Sequence, residues 1–79
     1  PLPKVKFSEE EVRILRLLSK SETRRSIAKH LNLSYAGINH RMRQLYKKLD
    51  VINSIQAVVR GCRLEIIKYP QAKTKRLAS

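Results

Sequence analysis

Apolar residues recur every three or four positions along most of this chain, which is the spacing of one face of an α-helix. The pattern occurs in four segments, at about residues 9–20, 24–31, 35–49 and 54–64. In the third segment the apolar residues stand at spacings of four, three and four, as Ile38, Met42, Leu45 and Leu49. No segment alternates apolar and polar residues over a useful strand length. The sequence therefore predicts an all-α fold of four short helices.

Each predicted helix is preceded by a residue whose side chain can accept a hydrogen bond from the first helical turn. These N-cap candidates are Ser8, Thr23, Ser34 and Asn53. The first has the strongest signal, because Glu11 stands three residues later and completes a capping box. Asn32 follows the second helix, and asparagine tolerates the left-handed conformation of a tight turn. The fourth helix is expected to run through the apolar residues Ile55, Val58, Val59 and Cys62.

The length of 79 residues predicts a single small domain, since such a chain can enclose only one modest core. We expect that domain at residues 8–67, after a lead-in or linker end at 1–7 and before a basic, flexible tail at 68–79. The second and third helices are joined by the short stretch LNLS. Two helices joined by so tight a turn are typical of a helix-turn-helix motif.

The chain is strongly basic, with a formal net charge of +12 and an isoelectric point near 10.6. From Ser8 to Lys20 the acidic and basic residues cancel, whereas from Ser21 to Leu64 nine basic residues stand against two acidic ones. The positive charge therefore belongs to the helix-turn-helix and the helix after it. A polyanion is the expected partner, with nucleic acid ranked first and an anionic membrane surface second.

The third helix carries polar side chains away from its apolar row, and these suit the major groove of DNA. Arginine can bind guanine through two hydrogen bonds and asparagine can bind adenine in the same way. Asn39, His40 and Arg43 are therefore the candidates for base contacts, with Lys47 beside them on the same arc. Phosphate contacts are expected around them, at Arg24, Arg25, Ser34, Arg41 and Lys47. An exposed basic face is usually only a solvated one, but the turn and the clustered charge favour nucleic acid here.

Other functional classes have little support in the sequence. We expect no enzyme, no metal site and no cofactor, because the two histidines, the single cysteine and the few acids show no catalytic or metal-ligand spacing. His30 is interpreted as a surface residue at a helix end. The lone Cys62 cannot form an intramolecular disulfide, and its apolar neighbours indicate a core or interface position rather than a redox sensor. A cytoplasmic location with no membrane association fits this composition best.

Several short motifs occur together and in order along the chain. They are FSEEEVRILRLL, TRRSIAKHLNLS, GINHRMRQLYKKLDV and SIQAVV. In this combination the chain resembles the DNA-binding domain of the LuxR/NarL (GerE-like) family of bacterial transcription regulators, without a gap from about Phe7 to Ile67. The similarity is carried by Ile27-Ala28, Ser34, Lys48-Leu49-Asp50-Val51 and Gln56-Ala57-Val58.

The resemblance implies a four-helix domain whose third helix enters the major groove of double-stranded DNA. It places base contacts at Asn39, His40 and Arg43, and phosphate contacts at the helix starts, which adds Thr23 and Tyr35. It also implies a homodimer on paired half-sites, which in this family often forms through the fourth helix. The apolar residues of that helix, Val58, Val59 and Cys62, are therefore the candidates for the interface. Members of this family commonly form the output domain of a response regulator in a two-component system, so RNA polymerase is a further candidate partner.

The chain departs from the family pattern at several positions. Gly37 stands in place of the usual threonine, and it either permits close approach of the helix backbone to a phosphate or is a tolerated weakness. Arg41 replaces a common histidine and is expected to add a phosphate contact. Arg13 stands where an acidic residue is usual, and Ser21-Glu22 replaces a Gly-Leu pair between the first two helices.

One alternative remains open at this point. The domain could be a basic protein-interaction module that docks through its fourth helix and Ile66-Ile67, with only non-specific affinity for nucleic acid. The two hypotheses differ in salt dependence, because a DNA-binding protein that makes several phosphate contacts loses affinity steeply as salt rises. RNA binding is disfavoured, since the aromatic residues do not form a platform on which bases can stack.

Overall fold

A computed structural model describes residues 6–68 of the protein. Within that range the chain forms four helices and no strand: α1 (Glu9–Ser19), α2 (Arg24–Leu31), α3 (Tyr35–Leu49) and α4 (Ser54–Arg63). Each boundary lies within one residue of the position predicted from the sequence. Most of the predicted lead-in and of the predicted tail lies outside the described residues.

All four predicted N-caps are present. The Ser8 side chain accepts a hydrogen bond from the Glu11 amide at 3.1 Å, and the Glu11 carboxylate accepts from the Ser8 amide at 2.9 Å, which completes the capping box. Thr23, Ser34 and Asn53 accept from the amides three residues later at 3.1, 3.0 and 2.8 Å. Since each cap satisfies an amide that the helix itself leaves free, the starts of all four helices are determined locally.

A residue other than glycine adopts the left-handed backbone conformation after each of the four helices. Residues with positive φ follow each helix, namely Ser21, Asn32, Asp50 and Glu65. Asparagine and aspartate tolerate this conformation, but serine and glutamate adopt it at a cost. The amides of Ser21 and Glu22 return to the carbonyls of Leu18 and Leu17 at 2.9 and 3.1 Å, so the backbone closes this end of α1 although the usual glycine is absent.

The core forms where the apolar faces of the four helices meet. Ile14 and Leu15 of α1 and Ile27 of α2 are fully buried. The predicted α3 row is buried along its whole length, at Ile38, Met42, Leu45 and Leu49. This row anchors α3 on one side and leaves its other sides to interact with neighbours or with a ligand.

The apolar pattern of α4 was predicted only in part. Its buried residues are Ala57, Gly61 and Cys62, whereas Ile55 is 75% exposed, contrary to the prediction. Small residues allow α4 to approach the core closely: a Cβ atom built on Gly61 would lie 3.3 Å from Ile67 and 3.4 Å from Leu15. Close packing of small residues, rather than a row of large ones, therefore holds this helix in place.

The helix-turn-helix is closed by backbone and side-chain hydrogen bonds. The Leu33 amide donates to the Ala28 carbonyl at 2.8 Å and shapes the turn between α2 and α3. At the other end of α3, Arg60 of α4 donates to the Leu49 carbonyl at 3.0 Å. The first bond fixes the turn that leads into α3, and the second ties the carboxyl end of α3 to α4. No helix among residues 6–68 is long and apolar enough to cross a membrane.

Candidate nucleic-acid interface

Helix α3 has one apolar face and three polar sides, which differ in the neighbours that their side chains contact. Residue positions on a helix advance by 100° per residue, so the polar residues divide into a flank toward α1, an outer face and a flank toward α2. The flank toward α1 carries Arg41 and Lys48. The outer face carries His40, Arg43, Gln44 and Lys47, all of them exposed. The flank toward α2 carries Tyr35, Asn39 and Tyr46.

The two cations of the flank toward α1 are engaged by acidic residues. Arg41 donates to the Glu10 carboxylate and forms an ion pair with it. Lys48 donates to the Glu11 carboxylate at 2.8 Å. Arg41 was predicted to contact phosphate, but it already has an anionic partner within the chain.

Lys48 also ties α3 to the segment that precedes α1. Its ammonium group donates to the Lys6 carbonyl at 2.9 Å and lies 5.2 Å from the centroid of the Phe7 ring, a cation–π distance. Within the Lys-Leu-Asp-Val motif, Lys48 is therefore the residue that links α3 to α1 and to the segment before it.

The pKa of Glu11 is shifted by its surroundings. Partial burial acts to raise the pKa of Glu11, but the hydrogen bond and charge of Lys48, together with the hydrogen bonds from Ser8, outweigh it and lower the pKa below its ordinary value of 4.5. The carboxylate is therefore ionised at neutral pH and holds both the α1 cap and the α3 flank.

The outer face of α3 is open by comparison. His40, Arg43 and Lys47 follow one another along this face at spacings of three and four, and all three are exposed. The glutamates of the α1 amino terminus lie on the other flank. The outer face is consequently cationic and accessible to a polyanion. The buried apolar row on the opposite side of α3 holds the helix against the core.

The flank toward α2 contains a bond between the two helices of the motif. Arg24, the first residue of α2, donates to the side-chain oxygen of Asn39. Asn39 is half-buried, so it lies at the edge of the outer face rather than opposite the core row as the sequence had suggested. A cleft between the helices is lined by Arg24, Tyr35, Asn39, Met42, Arg43, Tyr46 and Ile52.

The starts of α2 and α3 lie together beside this cleft. The hydroxyl oxygens of Thr23 and Ser34 accept from their own helices, which leaves each O–H free to donate. The Arg25 guanidinium lies 5.2 Å from the centroid of the Tyr35 ring, so these two side chains link one helix start to the other. Thr23, Arg25, Ser34 and Tyr35, predicted as phosphate contacts, thus form one exposed patch of donors.

Gly37 lies in the first turn of α3, where its amide donates to the Ser34 hydroxyl oxygen. A Cβ atom at this position would lie 3.1 Å from that oxygen, so the serine side chain would have to move by a few tenths of an ångström. The other three helices keep the same cap although the residue at the equivalent position carries a side chain, so the cap itself does not require glycine.

The apolar surface lies partly on α4 and partly on the loop before it. Ile52 is 80% exposed, Ile55 75% and Val59 40%. Val58 is half-buried against the core, and Cys62, only 7% exposed, belongs to the core itself. Of the three residues predicted for a dimer interface, Val59 therefore offers the most surface, and Cys62 offers very little.

Sequence reasoning missed the interactions that join distant parts of the chain. The contacts of Glu10, Glu11 and Arg60 with α3 were not predicted, because they depend on how the helices pack and no local sequence pattern marks them.

Among residues 6–68 no group of three or more histidine, cysteine or acidic side chains is placed to hold a metal ion. In the same part of the chain, the buried Tyr46 hydroxyl has no hydrogen-bond partner.

Comparison with known proteins adds one match. Residues 5–60 match the family model described as bacterial regulatory proteins, luxR family. The matched segment contains α1, α2, α3 and most of α4. No curated protein matches the chain, and no solved structure does.

Proposed function

Because the chain belongs to the luxR family of bacterial regulatory proteins, whose helix-turn-helix domain binds DNA in transcription regulators, we propose that it recognises a specific DNA sequence by inserting α3 into the major groove. A helix fits the width of that groove, and base edges there carry distinct patterns of donors and acceptors. The family is a DNA-binding regulatory class rather than an enzyme class.

The observation that supports this proposal is the division of α3 into paired and open cations. Arg41 and Lys48 have acidic partners within the protein, whereas Arg43 and Lys47 stand exposed on the outer face. A helix whose charge served only solubility would have no need of this separation. The open face is the one that a DNA duplex would meet.

The proposed contacts differ in kind across this surface. Arg43, His40 and Asn39 read base edges. Lys47 and the donor patch of Thr23, Arg25, Ser34 and Tyr35 bind phosphates, which orient the domain without reading sequence. The amino termini of α2 and α3 add the positive end of each helix dipole to that patch.

The second part of the proposal concerns assembly. Two copies bind paired half-sites and meet through the exposed apolar surface formed by Ile55, Val59 and the half-buried Val58. A role as the output domain of a cytoplasmic response regulator, in contact with RNA polymerase, is consistent with the family. Cooperative binding to a site with two half-sites, and non-cooperative binding to a site with one, would test the dimer.

The decisive experiment is selection from a randomised duplex library, followed by salt titration of the selected site. We expect one enriched sequence, an affinity well above that for random DNA, and a log–log salt slope of roughly −0.9 for each phosphate contact. Equal affinity for selected and random duplexes at physiological salt would contradict sequence-specific binding.

A protein-interaction module is the second candidate, because the exposures of Ile52 and Ile55 are large for isoleucine. If the protein is such a module, Ile55→Ser should abolish binding of the protein partner. Its affinity for DNA should stay the same, and it should bind all DNA sequences equally. For the DNA-binding proposal, the same variant should lose only the cooperativity between half-sites.

A further inference from the structure

The bond between Arg24 and Asn39 changes what the asparagine can recognise. We propose that these two side chains act as one base-reading unit that selects guanine over adenine. The inference rests on the proposed function, since it assigns a base preference to the same major-groove surface. Arg24 was expected from the sequence to contact phosphate, and its hydrogen bond to Asn39 gives it a different task.

An asparagine with a free side chain matches adenine. Its amide oxygen accepts from the N6 amino group of adenine while its NH₂ donates to N7. This pairing needs the oxygen and the nitrogen of one side chain to meet the base edge together. Free asparagine therefore rejects guanine, which presents an O6 acceptor where adenine presents a donor.

In this protein the amide oxygen of Asn39 already accepts from Arg24. The bond occupies one of the two lone pairs of the amide oxygen, leaves the NH₂ group of Asn39 as a donor and places a guanidinium beside it. An adenine N6 amino group that approached the oxygen would meet a cationic donor. A guanine would instead present two acceptors, N7 and O6, to two neighbouring donors.

The surroundings of the pair strengthen the same preference. Both side chains line the cleft that also contains Arg43, a third source of N–H donors, on the next turn of α3. Arg24 is the first residue of α2, directly after the Thr23 cap, so its backbone position is fixed relative to the helix-turn-helix. Asn39 is half-buried and therefore restricted before DNA arrives.

The test is selection from a randomised duplex library with the whole chain and three variants. Asn39→Ala identifies the base position that this side chain reads, because enrichment there should vanish. Wild type should select guanine at that position, and Arg24→Ala should select adenine at the same position. Arg25→Ala is the matched control: it removes a neighbouring exposed arginine that is proposed to bind phosphate, so it should weaken binding to all duplexes alike and still select guanine.

Competition binding with duplexes that differ only at this base pair gives the size of the effect. We expect wild type to prefer guanine over adenine by roughly 5- to 150-fold, the discrimination typical of one good base contact. Arg24→Ala should reverse the order. Circular dichroism of each variant checks that the four helices remain.

Two outcomes would overturn the inference in different ways. If Arg24→Ala binds every duplex more weakly and still prefers guanine, Arg24 contacts phosphate and the paired reading is wrong, while sequence-specific binding stands. If wild type enriches no sequence at all, the proposed function itself fails and the inference fails with it.

Discussion

The two polar sides of α3 that carry most of its charge contain the same residue types and behave differently. On the flank toward α1, one arginine and one lysine are held by glutamates of another helix. On the outer face, Arg43 and Lys47 are exposed and lie away from those glutamates. The net charge of a helix is therefore a poor measure of the charge that a ligand can use. What matters is which cations the fold has already paired.

The largest expected effect is a loss of folding stability when the buried apolar row of α3, which anchors both polar sides, is shortened. Leu45 is fully buried in the row that anchors α3, so Leu45→Ala should lower the free energy of unfolding by about 2–5 kcal/mol. Urea unfolding would measure it. Gln44→Ala, exposed on the same helix, is the control and should change stability little. Equal stability of the two variants would contradict the anchoring role.

The comparison is sharpened by removing one arginine from each side. Arg43→Ala should weaken binding to the selected site by about 1–3 kcal/mol, with the loss concentrated at particular base pairs. Arg41→Ala removes a surface ion pair and should cost about 0.2–1 kcal/mol of folding stability, with little change in base preference. Binding curves on the selected site and its single-base variants measure the first effect. A larger specificity loss in Arg41→Ala would reverse our assignment of the two sides.

The two lysines provide a test through salt dependence. Lys47→Ala should weaken binding to all sequences alike and reduce the magnitude of the log–log salt slope by about 0.9, the value for one phosphate contact. Lys48→Ala should leave the slope unchanged, because its ammonium group is bound to Glu11 and to the Lys6 carbonyl. Base-selective weakening in Lys47→Ala would argue against a phosphate contact.

A pH titration examines the paired flank by itself. The pKa of Glu11 is lowered in the folded protein, so its contribution to stability is present above the ordinary value of 4.5 and is lost as pH falls through the folded value. Wild type should therefore be more stable than Glu11→Gln at pH 7, and the difference in urea midpoint should narrow below pH 4.5. Glu9→Gln, exposed in the same helical turn, is the control. A difference that stayed constant with pH would contradict the ion pair.

The smallest effect is expected far from either side of α3. Ser21 has φ of 65°, where glycine is favoured, and Ser21→Gly should raise stability by about 0.5–1 kcal/mol. Thermal unfolding measures the gain. DNA affinity should not change, and a change in affinity would indicate that the connection between α1 and α2 influences the reading surface.

The parts of this structure that depend on near neighbours in sequence were predictable. Helix boundaries, all four caps and the buried α3 row follow from patterns spanning three or four residues, and each was found where expected. The α4 packing was less predictable, because Ala57 and Gly61 carry too little side chain to mark a buried face. The large apolar side chain of Ile55 suggested that its side of α4 is buried, whereas that side is exposed.

The pairing of charges could not be predicted from spacing. Arg41 and Lys48 find their partners 31 and 37 residues away, and Arg24 reaches Asn39 across 15 residues. Only the packing of α1 and α2 against α3 determines these pairs. A list of basic residues gave no indication that Arg41 has an anionic partner within the chain, and the family pattern gave no indication that Asn39 has a partner.

Arg60 has a mechanical consequence for any assembly of this domain. By donating to the Leu49 carbonyl it links the last turn of α3 directly to α4. The exposed Ile55 and Val59 stand on that same helix. If two copies meet through α4, the angle at which they meet also sets the distance between their two α3 helices. The permitted spacing of half-sites along a duplex would then be decided by a surface that never touches DNA.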